Sequence, residues 1–168
     1  RKATKSLTSQ AAVHCGRFKA ETVVIDDRMI EGTLIEQIDE VMEFIRKNIQ
    51  VQFVMTGKPV REEKWTYPLE ALREAVINSA CHRDYTASSN IEVRIYDDKL
   101  TIWNPGGLPV GLKLDDLYKT HPSVLRNKGI GGVFYDIGLI EQCGRGIDQM
   151  RSACQTAGLP EPIFEEYQ

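Results

Sequence analysis

The sequence has no C-x-x-C pair. Its four cysteines, Cys15, Cys81, Cys143 and Cys154, are scattered. That spacing excludes zinc ribbons and dithiol redox motifs and predicts reduced thiols, mostly buried, as expected in a cytoplasmic protein. No apolar run is long enough to cross a membrane, and no signal peptide is visible. There is no basic excess either. The 21 basic and 24 acidic residues leave a net charge of −3, which argues against this chain as a main DNA-gripping surface. No G-x-x-x-x-G-K-[ST] segment occurs, so a helicase motor is excluded. Internal repeats and low-complexity tracts are missing as well. What remains is 168 residues with 42% hydrophobic content, enough for one globular domain with its own core.

Patterning predicts the elements. Residues 11–18 and 22–26 read as strands, the second ending in a turn at Asp26-Asp27. Thr33 and Glu36 form a T-x-x-E capping box ahead of an amphipathic helix carrying Ile35, Ile38, Val41, Met42, Ile45 and Ile49. A short strand pair spans 51–65, broken at Gly57-Lys58-Pro59. A second helix starts near Pro68 and runs to about Arg83, with Leu69, Leu72, Val76 and Ala80 as its apolar stripe. Ile91, Val93 and Ile95 alternate with polar residues, Asp97-Asp98-Lys99 turns the chain, and Leu100–Trp103 returns as the second strand of a hairpin. Residues 110–143 are irregular and bear several glycines, with short helices near 114–118 and 130–137. A last helix spans Gly146 to Ala157, stopped by Gly158 and Pro160. Pro162-Ile163-Phe164 begins a strand.

Glu74 and Asn78 lie four apart on one helix and share a face. An amide oxygen one turn from a carboxylate suits a magnesium–nucleotide site: Asn78 offers an oxygen to the cation, and Glu74 orients or deprotonates a water. Taken alone, such a pair is more often two solvated side chains. Glycines at Gly106-Gly107, after the hairpin, allow close approach to backbone, although a plain turn would also use them. Gly144-Arg145-Gly146 opens the last helix, whose N–H groups can hold phosphate, although Gly144 also suits a helix cap. Two further clusters carry no such chemistry. His82-Arg83-Asp84 lacks the rest of a kinase signature, with Asn90 one residue too late. His121, Ser123 and Asp115 are near in sequence only, whereas triads are defined by geometry.

The order of these pieces resembles the GHKL ATPase superfamily of gyrase, Hsp90, MutL and sensor histidine kinases. Glu74–Ser79 resembles its E-x-x-x-N box, Thr101–Pro109 its adenine box, and Gly144–Gly146 its second glycine box. Residues 110–143 then correspond to the ATP lid. The segments EALREAVINSACHRDY, IYDDKLTIWNPGGLP, HPSVLRN and LIEQCGRGIDQM resemble, more closely, the C-terminal module of bacterial proteins often labelled RecG-like helicases or transcriptional regulators. In those proteins it follows an AlbA/Schlafen-type domain.

The resemblance implies an α/β sandwich: a mixed, mostly antiparallel sheet with helices on one face. It further implies a regulatory nucleotide-binding module within a longer DNA-binding transcriptional regulator. In that picture residues 1–168 form one domain whose DNA-binding N-terminal partner domain is missing, as the abrupt start at Arg1 suggests. ATP and Mg2+ are the implied ligands, with Glu74 catalytic, Asn78 on the metal, and Asn104, Gly106, Gly107, Gly144 and Gly146 around the nucleotide. DNA is contacted through the missing domain, no membrane is involved, and the module self-associates. Three departures bear on this. Asn104 replaces the aspartate that reads the adenine amino group, Pro105 replaces a glycine, and Cys81 replaces a further aspartate. The alternatives are an active Mg-dependent ATPase and a non-catalytic dimerisation domain with a vestigial pocket. A winged-helix DNA reader is a fourth reading, opposed by the acidic balance.

Overall fold

A computed structural model describes residues 11–19, 22–54, 62–119, 124–140 and 145–167. Strands β1 (Val13–Lys19) and β2 (Val23–Ile30) lead into helix α1 (Leu34–Asn48). A separate pair, β3 (Val51–Val54) and β4 (Glu62–Trp65), precedes α2 (Leu69–His82). The hairpin is β5 (Ile91–Ile95) and β6 (Leu100–Trp103). A 3-10 turn (Leu114–Tyr118), α3 (Lys128–Asp136) and α4 (Gly146–Thr156) follow.

The main sheet has the order β2-β1-β5-β6. Its outer pairs are antiparallel and its central pair, β1 with β5, is parallel. This is the mixed, mostly antiparallel sheet that the sequence predicts. One face is apolar because residues alternate along a strand. Val13, Cys15, Val93 and Ile95 from the sheet meet Ile38, Val41, Met42 and Ile45 of α1 and Val76, Ile77 and Ala80 of α2. Burying each large aliphatic side chain contributes about 1.5–3 kcal/mol, so this helix-on-sheet layer dominates stability.

The capping box forms as predicted. The Glu36 N–H donates to Thr33 Oγ1 at 3.3 Å, and the Thr33 N–H donates to Glu36 Oε2 at 2.8 Å. The Thr33 N–H, and then the Thr33 hydroxyl, donate to the Glu36 carboxylate and hold it below its usual range. At the far end of the chain, α4 stops in a glycine cap. Gly158 takes φ +73°, its N–H donates to Gln155 O, and the Leu159 N–H donates to Cys154 O.

Two local expectations are corrected. Asp26-Asp27 does not turn the chain, because β2 runs on to Ile30. Asp26 accepts from Lys47 and Asn48, and Asp27 bonds His14, so both carboxylates are satisfied within a paired strand. A register shift opposite Arg17/Phe18 absorbs the irregularity instead. Pro162-Ile163-Phe164 starts no strand, because the segment 159–167 runs free of the sheet and packs elsewhere. Arg83 lies buried at the end of α2. It is 1% exposed, donates to the carbonyls of Ala12 (3.0 Å) and Ser89 (2.8 Å), and lies over the Tyr85 ring. It is a strut joining the end of α2 to the start of β1. The break at Gly57-Lys58-Pro59 lies outside the described residues.

Candidate functional site

Helix α2 presents two faces. Leu72, Val76 and Ala80 enter the core, while Glu74, Asn78 and His82 border a cleft of about 990 Å³. This size lies at the top of the range for ligand pockets. Across the cleft stand β6 with its exit through Asn104, Gly106 and Gly107, the first turn of α4 at Gly146, and Leu112, Leu117 and Leu139 of the 110–143 stretch. The structure therefore brings six of the seven candidate residues to one cleft: Glu74, Asn78, Asn104, Gly106, Gly107 and Gly146. Gly144 lies outside the described residues, as do His121 and Ser123.

The Asn78 amide N–H donates to Glu74 Oε1 at 3.1 Å. That bond leaves the Asn78 oxygen as the acceptor atom that a cation could take. Glu74 also reaches across to α4. A Cβ built on Gly146 would lie 1.8 Å from Glu74 Oε1, closer than atoms can approach. Glycine at the first position of α4 thus admits a carboxylate to the helix N-terminus, where anions are favoured. Among the described residues no group of three or more His, Cys, Asp or Glu side chains could hold a metal. The donors suit a Mg2+ held mainly by phosphate oxygens and waters, with one or two protein oxygens.

Asn104 follows β6 with its Oδ1 buried and without a hydrogen-bond partner among the described residues. A buried acceptor left unpaired costs about 1–3 kcal/mol, so this corner gains from a ligand that donates to it. The two glycines beyond it differ. Gly106 sits at φ +107°, and a Cβ there would meet Asp84 at 3.0–3.2 Å. The Asp84 N–H in turn donates to Pro105 O at 2.8 Å. Gly106 is therefore required by the turn that docks on the end of α2, and Pro105 supplies a carbonyl to that docking. Gly107 is tight because of a side chain: its Cβ would lie 2.6 Å from Glu166 Oε1.

Sequence reasoning gave no role to several residues at this site. Arg126 donates to Gly107 O at 2.7 Å. Asn127 donates to the carbonyls of Cys81 (2.9 Å) and Arg83 (2.8 Å), tying the start of α3 to the end of α2. Both lie in the quoted HPSVLRN segment, which was the available signal. His82 borders the cleft as a half-buried imidazole. Burial, and then the nearby Arg126 charge, hold its pKa below the ordinary histidine value. The thiols of Cys15 and Cys81 are pushed up to about 12 and about 11 by burial. They are core residues rather than nucleophiles.

Comparison with known proteins adds the following. Residues 88–168, just under half of the chain, match the family described as "Putative ATP-dependent DNA helicase recG C-terminal". The resemblance read from the sequence is thus found over that stretch, and the match is to a module of ATPase type. Among solved structures, the DIP2311 protein from Corynebacterium diphtheriae superposes with a TM-score of 0.83 at 24% identity. The match covers 94% of this chain and 33% of that one, so this chain spans about a third of that protein's length. At that identity the likeness shows the fold. No curated protein matches. Among the described residues no helix is long and apolar enough to cross a membrane.

Proposed function

We propose that this chain is the nucleotide-responsive regulatory module of a DNA-binding transcriptional regulator, with ATP and Mg2+ as its ligands. The premise is the ATPase-type family match over residues 88–168. The observation that carries the reading is the meeting of Glu74 and Asn78 with the glycine-lined exit of β6 and the N-terminus of α4 around one cleft. In this reading the Asn78 oxygen joins the shell of the cation. Asn104, Gly106 and Gly107 border the base, with Asn104 Oδ1 seeking a donor. Gly146 opens the helix end that faces phosphate. DNA is contacted by another segment of a longer protein. Its setting is the cytoplasm, and self-association transmits the ligand state.

A second reading, a working ATPase, is favoured by Glu74. Bound Mg2+ would neutralise charge on the phosphate oxygens. Glu74 stands beside Asn78 and can accept a proton from a water in the cleft. The two readings separate cleanly in one pair of measurements. Calorimetric titration with a non-hydrolysable ATP analogue and magnesium should show binding by the wild type and its loss in Asn78→Ala. Hydrolysis abolished by Glu74→Ala supports the ATPase, and hydrolysis unchanged by it removes Glu74 as base. No binding by folded protein at millimolar analogue overturns both readings in favour of a dimerisation domain with a vestigial pocket.

A further inference from the structure

The segment that follows α4 makes no strand, yet it is held in place by specific contacts. Arg151 grips Glu161 through two nitrogens, at 2.9 and 3.2 Å, and lies over the Tyr118 ring. The Tyr118 hydroxyl accepts from the Phe164 N–H at 3.1 Å, and the two rings pack edge to face at 5.5 Å. These anchors carry the next residues to the cleft, where Ile163, Phe164 and Glu166 join its lining. Glu166 Oε1 then accepts from the Leu108 N–H at 2.8 Å and rests against Gly107. A carboxylate of the chain itself thus occupies a backbone donor at the glycine-lined exit of β6, the corner next to Asn104.

From this contact we infer that residues 159–167 are an internal competitor that closes the cleft, and that nucleotide and the Glu166 carboxylate occupy the Gly107–Leu108 corner in turn. The inference rests on the nucleotide reading of the cleft. The shared chemistry is acceptance: the Glu166 carboxylate takes the Leu108 N–H, a backbone donor that an acceptor nitrogen of a base at this corner would also take, beside the Arg126 guanidinium that anchors on Gly107 O. The restraint is also weak enough to exchange. Glu166 is exposed, Ile163 is 82% exposed and Tyr167 73% exposed, so little apolar area holds the end of the segment down. A ligand that needs the open state binds with its affinity reduced by the open fraction. Removing the Glu166 carboxylate therefore raises affinity without adding any contact to the ligand.

The test uses the full chain as wild type, Glu166→Ala and Glu165→Ala. The last removes the same charge one residue away, from a side chain that accepts from the Tyr167 hydroxyl. Amide hydrogen exchange at Leu108 should be about tenfold faster in Glu166→Ala and unchanged in Glu165→Ala. Titration with a non-hydrolysable ATP analogue and magnesium should give about three- to tenfold tighter binding for Glu166→Ala alone. Unchanged exchange at Leu108 removes the contact and the inference with it. Faster exchange with unchanged nucleotide affinity removes the competition and leaves the nucleotide reading standing. Equal tightening in Glu165→Ala assigns the effect to net charge and overturns the inference. Faster exchange with no binding by any of the three proteins overturns the nucleotide reading and the competition together.

Discussion

Gly146→Ala should destabilise this protein although it places a better helix former in a helix. Elsewhere in a helix the change would gain about 0.5–1 kcal/mol. Here the new Cβ would lie 1.8 Å from Glu74 Oε1 and 2.8 Å from its Cδ, so the carboxylate must leave. Its departure removes the 3.1 Å bond from Asn78. A hydrogen bond to a charged group contributes about 1.5–3 kcal/mol, reduced here because Glu74 and Asn78 are only half-buried. The favourable placement of a carboxylate at the N-terminus of α4 is lost too, about 0.3–1 kcal/mol. The net loss is about 1–2 kcal/mol. For a chain of this length that lowers the thermal midpoint by roughly 2–8 °C. The assay is a double-mutant cycle in urea with Glu74→Ala. In the Glu74→Ala background the alanine should stabilise by about 0.5–1 kcal/mol, giving a coupling of about 1.5–3 kcal/mol. An equal loss in both backgrounds would refute the argument, as would a Gly146→Ala protein as stable as wild type.

Other outcomes follow from the same geometry. Arg83→Met should cost about 2–5 kcal/mol in urea unfolding, because the carbonyls of Ala12 and Ser89 lose their buried donor. Thr33→Ala should cost about 1 kcal/mol through loss of the capping box. His82 has a lowered pKa, so the unfolded chain takes up a proton near pH 6.5 that the folded chain resists. Stability should therefore fall as pH drops below about 6.5, and His82→Gln should flatten that fall. Cys15 and Cys81 have raised pKa values, so the opposite sign holds. Their contribution is intact below pH 9.0 and fades as pH rises toward about 12 and about 11. In native protein at pH 8, iodoacetamide should label Cys154, which is part-exposed, well before either of them.

Much of the fold was legible because it is written in local patterns. Helix α1 announces itself by Thr33, Glu36 and an apolar repeat of helical period, and α2 by its own stripe. The hairpin of β5 and β6 follows from alternation and a short polar turn. Where local signals misled, a distant partner decided. Asp26-Asp27 looks like a turn until Lys47, Asn48 and His14 satisfy its carboxylates inside a strand. The stretch 162–164 has strand composition, yet Tyr118 and Leu108 hold its neighbourhood away from the sheet.

The candidate site divides in the same way. By itself the sequence determined which residues share a helix face, Glu74 with Asn78, and where the backbone is free of Cβ atoms, at Gly106, Gly107 and Gly146. Both follow from the helical repeat and from residue type, which are properties of the chain alone. Only the tertiary structure decided that Gly146 exists to admit Glu74, and that Gly106 is shaped by Asp84 while Gly107 is shaped by Glu166. It also decided that Arg83 is buried between carbonyls far apart in the chain. These pairings join positions up to 72 residues apart, and no periodicity encodes them. They form because the helix-on-sheet core brings α2, the end of β6 and α4 to one cleft, where each polar group must find a partner.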